Sequence, residues 1–84
     1  MLDYRGSYII ILTKEADIKD VPSRGTVIAG QKITVISGRV REGVVGIQFY
    51  SSNDSFCWVF SSIKEIYDSD GKVIWKNTEY KKME

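Results

Sequence analysis

The side chains of this chain that could do chemistry are mainly cationic and aromatic. Residues 24–41 hold four basic side chains and no acidic one. Such side chains bind phosphates, and a nearby aromatic ring offers a face on which a nucleic-acid base can stack. We therefore predict a nucleic-acid-binding site on a basic hairpin, made by Arg24, Lys32, Arg39, Arg41 and Tyr50.

The aromatic residues support a second prediction, of a different class. Aromatic side chains make up 12% of the chain, and exposed rings are common anchors of protein–protein interfaces. In this alternative, an open barrel edge or an aromatic patch binds a protein partner, and the chain is an interaction module or a small inhibitor. The small size also fits a phage-encoded modulator of a host protein. The patch would consist of Tyr4, Tyr50, Tyr67 and Trp75.

Enzyme chemistry has few candidate residues here. The chain has no histidine, so the commonest general base and metal ligand is missing. The single cysteine, Cys57, lies between two aromatic residues and is predicted to be a buried apolar residue. Residues 68–71 resemble part of a calcium loop, but the loop's first and twelfth positions would be Ile66 and Asn77, which carry no carboxylate. We expect a non-enzymatic protein without metal or cofactor.

Length and composition predict one small globular domain. The chain has 84 residues, a net charge of +1 and one cysteine, which cannot form an intramolecular disulfide. The apolar run 8–12 is too short for a signal peptide or a membrane span, so we expect a cytoplasmic protein with no membrane partner. The predicted domain covers residues 1–76, and residues 77–84 form a polar C-terminal tail.

Hydrophobic alternation and turn residues predict an all-β fold. After a short lead at 1–6, strands are expected near residues 8–12, 32–36, 44–50, 56–60 and 72–75, with a long loop at 13–26. Gly46, inside a strand, indicates either a β-bulge or a place where another backbone comes close. The link of the central hairpin would be residues 37–43, which places Arg39 and Arg41 at its tip. Ser62 and Glu65 have the spacing that starts one short helical turn.

The hairpin also carries a known pattern. Its glycines and apolar residues resemble the KOW motif of ribosomal and transcription-elongation proteins, with four residues between Gly38 and Gly43 where that family usually has three. The resemblance implies an SH3-like barrel and contact with nucleic acid. The residues that carry it are Gly30, Ile33, Val35, Gly38, Val40, Gly43, Gly46 and Ile47.

A second resemblance lies at residues 58–63. This segment is similar to the end of a Src-homology-3 domain, where a strand passes into one 3₁₀ turn before the last strand. Phe60 and Ile63 stand where that family has its ligand-binding proline and tyrosine, so the resemblance implies the fold and not polyproline binding. Together these patterns predict a small SH3-like barrel of five or six antiparallel strands with one short 3₁₀ turn.

Overall fold

The computed structural model describes residues 1–13, 16, 25–28, 31–52 and 54–78, and for 25–28 only the backbone. Within these residues the fold is all-β, with a single 3₁₀ turn at Phe60–Ser62. The predicted all-β class and the 3₁₀ turn are confirmed. The strands are β1 Asp3–Leu12, β2 Gly25–Ile28, β3 Lys32–Glu42, β4 Gly46–Tyr50, β5 Ser55–Val59, β6 Ile63–Asp68 and β7 Val73–Lys76.

The strands form one antiparallel sheet in the order β5-β4-β3-β1-β6-β7, and β2 pairs with β3 beside this path. β1 therefore lies in the middle, between β3 and β6. β5 and β6 are far apart in the sheet, yet only the 3₁₀ turn joins them, so the sheet must curl. Phe60 of that turn stacks on Trp75 of β7, with ring centroids 6.2 Å apart, and this contact brings the two ends of the sheet together.

The core lies inside the curled sheet and follows the period-two alternation of the strands. In β1 the buried residues are Tyr8, Ile10 and Leu12, and the residues between them are half-exposed. Burying each such side chain contributes about 1.5–3 kcal/mol. The remaining buried apolar residues are Leu2, Ile33, Val35, Val40, Ile47, Phe49, Trp58, Ile63 and Ile66.

A β-bulge divides β3 into two parts. Between the pairs Gly6–Gly38 and Tyr8–Val35, β1 has one residue where β3 has two. Ser37, one of the two, has a positive φ of 61°. The extra residue shifts the alternation, so Val35 before the bulge and Val40 after it both face the core.

The bulge corrects the prediction for the hairpin link. Arg39 and Arg41 do not lie at a tip; they lie inside β3, paired with Tyr50 and Gln48 of β4. The turn comes later, where the Gly43 amide donates a hydrogen bond to the Gly46 carbonyl over 2.9 Å. The Ser-Gly dipeptide at 37–38 has a turn composition, but here it forms a bulge within a continuous strand.

Three further expectations are wrong. Residues 1–6 are not a free lead, because β1 begins at Asp3. Cys57 is exposed, because its neighbour Trp58 takes the inward position of β5. The N-cap of the 3₁₀ turn is Val59, three residues before Ser62, which the capping pattern indicated, and no side chain caps the turn.

The folded part of the chain extends one residue beyond the predicted domain end at residue 76. Asn77, which the sequence assigns to the polar tail, is buried, and its Nδ2 donates to the carbonyls of Phe60 (2.9 Å) and Ile63 (3.0 Å). This residue therefore belongs to the folded domain. The tail from residue 79 onward, Arg24 and most of the predicted loop at 13–26 lie outside the described residues.

Gly46 meets the expectation of a close backbone approach. It pairs with Val59 of β5, and a Cβ at this position would collide with the carbonyl oxygen of Trp58. The absence of a side chain is thus what allows β4 and β5 to pair where β4 begins.

Candidate functional site

The outer surface of β1, β3 and β4 carries most of the predicted basic residues. Directly paired residues of neighbouring strands share a face, about 5 Å apart. One row across the sheet runs from Arg5 to Arg39 to Tyr50. We call this surface the arginine face, and it consists of Asp3, Arg5, Arg39, Arg41, Gln48 and Tyr50.

Asp3 and Arg39 form a two-point ion pair on this face. Arg39 Nε donates to Asp3 Oδ1 over 2.9 Å, and Nη2 donates to Oδ2 over 2.9 Å. These hydrogen bonds hold the pKa of Asp3 below its usual value, and the charges of Arg41 and Arg5 act in the same direction. The pKa of Arg39 is raised, first by its hydrogen bonds to Asp3, and the nearby Tyr50 side chain acts in the same direction. The guanidinium of Arg39 is therefore fixed in orientation.

The charge on the arginine face is not balanced. Three arginines share it with one carboxylate, Asp3, so it carries a surplus of two positive charges. Because the whole chain has a net charge of only +1, the rest of the chain is close to neutral or slightly acidic. A polyanion would be attracted to this face rather than to the chain as a whole.

A groove opens at one edge of the arginine face. Its first part is a cleft of about 360 Å³ whose walls include Arg5, Ser37, Arg39, Tyr50 and Ser52. It adjoins a second hollow of about 380 Å³, which shares Tyr50, Ser51 and Ser52 and adds Asp54 and Ser55. We call the two together the arginine groove.

The bulge and the β4–β5 turn build the walls of the arginine groove. Gly6 and Gly38, next to the bulge, line its first part. Below them the hydroxyl of Tyr8, a buried residue, donates to the Arg39 carbonyl over 3.0 Å and supports the strand that carries the guanidinium. On the other side, the Ser51 amide donates to the Asp54 carbonyl over 3.0 Å and closes the turn after β4.

The lining of the groove suits an anionic ligand. Guanidinium groups and serine hydroxyls are hydrogen-bond donors to phosphate oxygens. Ser51 Oγ is buried at the wall and has no hydrogen-bond partner among the described residues. Among the described residues, no three histidine, cysteine, aspartate or glutamate side chains are grouped so that they could hold a metal ion.

The structure brings together three of the five residues predicted for nucleic-acid binding: Arg39, Arg41 and Tyr50. Lys32 lies at the other end of β3, opposite Ile11 and seven residues from Arg39, a distance of up to about 23 Å along the strand. Arg24 is outside the described residues.

Arg5 and Asp3 were missed by the sequence prediction. Both belong to the segment that was expected to be a short lead. A period-two signal was present, because the apolar residues Leu2 and Tyr4 alternate with these two charged ones. That signal would have extended β1 toward the N-terminus.

The aromatic residues of the alternative prediction do not meet in one patch. Tyr4 packs edge-on against Tyr8, with ring centroids 6.1 Å apart, and contributes to the core. Trp75 also packs against the core. Tyr50 on β4 and Tyr67 on β6 are separated by β3 and β1.

No known protein family, curated protein or solved structure matches this chain. The KOW and SH3-like resemblances therefore stay predictions that rest on the residues quoted for them. In the part of the chain that the structure describes, no helix has the length and hydropathy needed to cross a membrane.

Proposed function

We propose that this chain is a non-catalytic binding module that contacts nucleic acid, or a nucleic-acid-processing complex, through the arginine face. The observation that carries the proposal is the shared position of Arg5, Arg39, Arg41 and Tyr50 on one outer surface beside a groove. Three cations and a ring on a sheet surface combine the two contacts that sequence-tolerant nucleic-acid binding uses, which are phosphate neutralisation and base stacking.

The ion pair with Asp3 is compatible with phosphate binding. A guanidinium has five N–H donors, and Asp3 engages two of those on Arg39. Donors therefore remain for a phosphate, while the carboxylate holds the guanidinium in place. Arg5 and Arg41 are exposed on either side and add charge without such a constraint.

The small charge surplus sets the expected strength of binding. Two neutralised phosphates give a salt slope of about −1.4 to −1.8 in a plot of log affinity against log salt. Binding should therefore be modest and should weaken several-fold between about 50 mM and 200 mM salt.

The test uses labelled RNA and DNA oligonucleotides in fluorescence anisotropy titrations at those two salt concentrations. Arg5→Gln/Arg41→Gln removes two charges from the arginine face, and Lys32→Gln/Lys72→Gln removes two charges elsewhere. We expect the arginine variant to bind at least about tenfold more weakly with a smaller salt slope, and the lysine variant to bind like the wild type. Equal weakening in both variants, or binding without a salt slope, would overturn the proposal.

A second candidate function, protein binding, is favoured by a different observation. Val44 and Val45 at the β3–β4 turn are 96% and 69% exposed, and Val59 on the neighbouring edge strand β5 is 53% exposed. Exposed apolar side chains next to a sheet edge are typical of protein contacts. A partner captured from cell extract in the presence of nuclease and high salt, and lost with Val44→Ser/Val45→Ser, would support this function instead.

A further inference from the structure

We infer that the arginine groove holds one nucleotide of a single strand, with its phosphate between Arg5 and Arg39 and its base or sugar beyond Tyr50, at Ser52 and Asp54. The inference rests on the proposed function and makes it more specific.

The first part of the groove has the character of a phosphate site. Arg5 and Arg39 are directly paired across β1 and β3, so their side chains start about 5 Å apart on the same face. Ser37, at the bulge, lines the same space. Two guanidinium groups converging on one small cleft favour a phosphate over a neutral group.

The second part of the groove has a different character. It contains Asp54 together with Ser52 and Ser55, and its described lining residues include no basic side chain. A carboxylate repels a phosphate but accepts hydrogen bonds from a base amino group or a sugar hydroxyl. The two parts therefore distinguish the two ends of a nucleotide.

Tyr50 lines both parts and thus lies at the boundary between them. Tyr50 is directly paired with Arg39 across β4 and β3, so its ring lies beside the Arg39 side chain on the same face. A ring at this position can stack against the base of a nucleotide whose phosphate lies at the arginine end.

The half-exposed ring of Tyr50 on the open sheet surface selects single strands. In a duplex the bases are stacked and paired in the interior, and the convex outer surface presents phosphates and sugars. Such a surface can touch the arginine face but offers no free base face to the Tyr50 ring. An unpaired nucleotide can enter, because its base is free to leave the stack.

The experiment compares a short single strand with a blunt-ended duplex of the same sequence, by anisotropy, for the wild type and for Tyr50→Leu. We expect the wild type to bind the single strand about tenfold more tightly than the duplex, and Tyr50→Leu to remove most of this difference. Tyr67→Leu is the matched control, a tyrosine on the outer face of β6 that should leave both affinities unchanged.

A second variant covers the case in which Tyr50→Leu fails to fold. Ser52 is exposed and lines both parts of the groove. Ser52→Glu places a second carboxylate there, so we expect weaker binding of the single strand and little change for the duplex.

The outcomes separate the inference from the proposed function. Equal affinity for single strand and duplex, still reduced by Arg5→Gln/Arg41→Gln, would overturn the groove assignment and leave the arginine face as a nucleic-acid surface. Failure to bind either one in a salt-dependent way would overturn both. A phosphoserine peptide that displaces the single strand at lower concentration than adenosine monophosphate would also overturn the inference, because the groove would then prefer a peptide.

Discussion

The arginine face and the outer face of β6 and β7 contain the same types of residue, but only the arginine face carries a surplus of positive charge. Each has a tyrosine next to an ion pair. On the arginine face Arg39 meets Asp3 at two points over 2.9 Å, whereas on the other face Lys76 lies 3.9 Å from Glu65. Tyr67 donates to the same Glu65 over 2.8 Å, and this hydrogen bond raises the pKa of Tyr67.

The difference lies in the charge that remains after pairing. The charged residues of β6 and β7, which are Lys64, Glu65, Asp68 and Lys76, sum to zero, whereas the arginine face has a surplus of two positive charges. A tyrosine beside an ion pair is therefore a common structural arrangement, and only the charge surplus together with a groove makes the arginine face a candidate binding surface.

The largest effect should come from exchanging a glycine for alanine in each region. Gly46→Ala forces a methyl group into the Trp58 carbonyl, so we expect a loss of about 3 kcal/mol in the free energy of unfolding. Gly71, in the β6–β7 turn, has a φ of 84° and no atom within 4 Å of a Cβ, so Gly71→Ala should cost only about 1 kcal/mol. Urea unfolding of both variants measures the contrast, and equal losses would contradict it.

The next largest effect on stability should come from removing the Tyr8 hydrogen bond that supports the arginine face from below. Tyr8→Phe removes the hydrogen bond to the Arg39 carbonyl and should lower the free energy of unfolding by about 1 kcal/mol. Burial raises the pKa of Tyr8 above its ordinary value of 10.0.

The neutral hydroxyl of Tyr8 therefore stabilises the fold fully below about pH 10, and this contribution is lost as the pH rises further. Urea unfolding between about pH 8 and pH 11 should show wild-type stability falling more steeply than that of Tyr8→Phe. Parallel curves would show that Tyr8 is not the group responsible.

Removing the acid from each face should change binding on one face only. Asp3→Asn raises the charge surplus of the arginine face from two to three, so we expect affinity for a single-stranded oligonucleotide to rise about three- to fivefold at low salt. Glu65→Gln makes the same charge change on the β6–β7 face and should leave affinity nearly unchanged. A similar gain in both variants would mean that only total charge matters.

The smallest effect concerns acid stability. Because the pKa of Asp3 is lowered in the fold, its pairing with Arg39 contributes stability above the ordinary value of 3.8, and this contribution is lost as the pH falls below it. Asp3 is exposed, so the change should be small. Thermal unfolding between about pH 2 and pH 6 should show a shallower acid dependence in Asp3→Asn than in the wild type, and an unchanged profile would exclude this role.

Much of the fold follows from local sequence patterns. The apolar run 8–12 and the alternation around Ile33 and Val35 predict strands, and Gly71 marks the turn before β7. These signals suffice because period-two burial and a positive φ at glycine depend on neighbouring residues alone.

The arrangement of the site was harder to predict. The bulge places a serine, not a glycine, at φ 61°, so nothing in the composition of residues 36–37 indicates a reversal of the alternation. Without the bulge, Arg39 and Arg41 are assigned to a hairpin tip rather than to a sheet surface. The pairing of Arg5 with Arg39 joins residues far apart in sequence, and local patterns carry no information about such contacts.

The central position of β1 has a consequence for the synthesis of the chain. β1 is made before both of its partners, and β6 begins only at Ile63, so the segment from β1 through β6 must leave the ribosome before β1 is paired on both sides. Until then one edge of the strongly apolar run Ile9, Ile10 and Ile11 stays unpaired even after β3 has formed, and such an edge is a typical start for aggregation. Fast expression at high temperature should therefore favour inclusion bodies, and slow expression in the cold should favour folded protein.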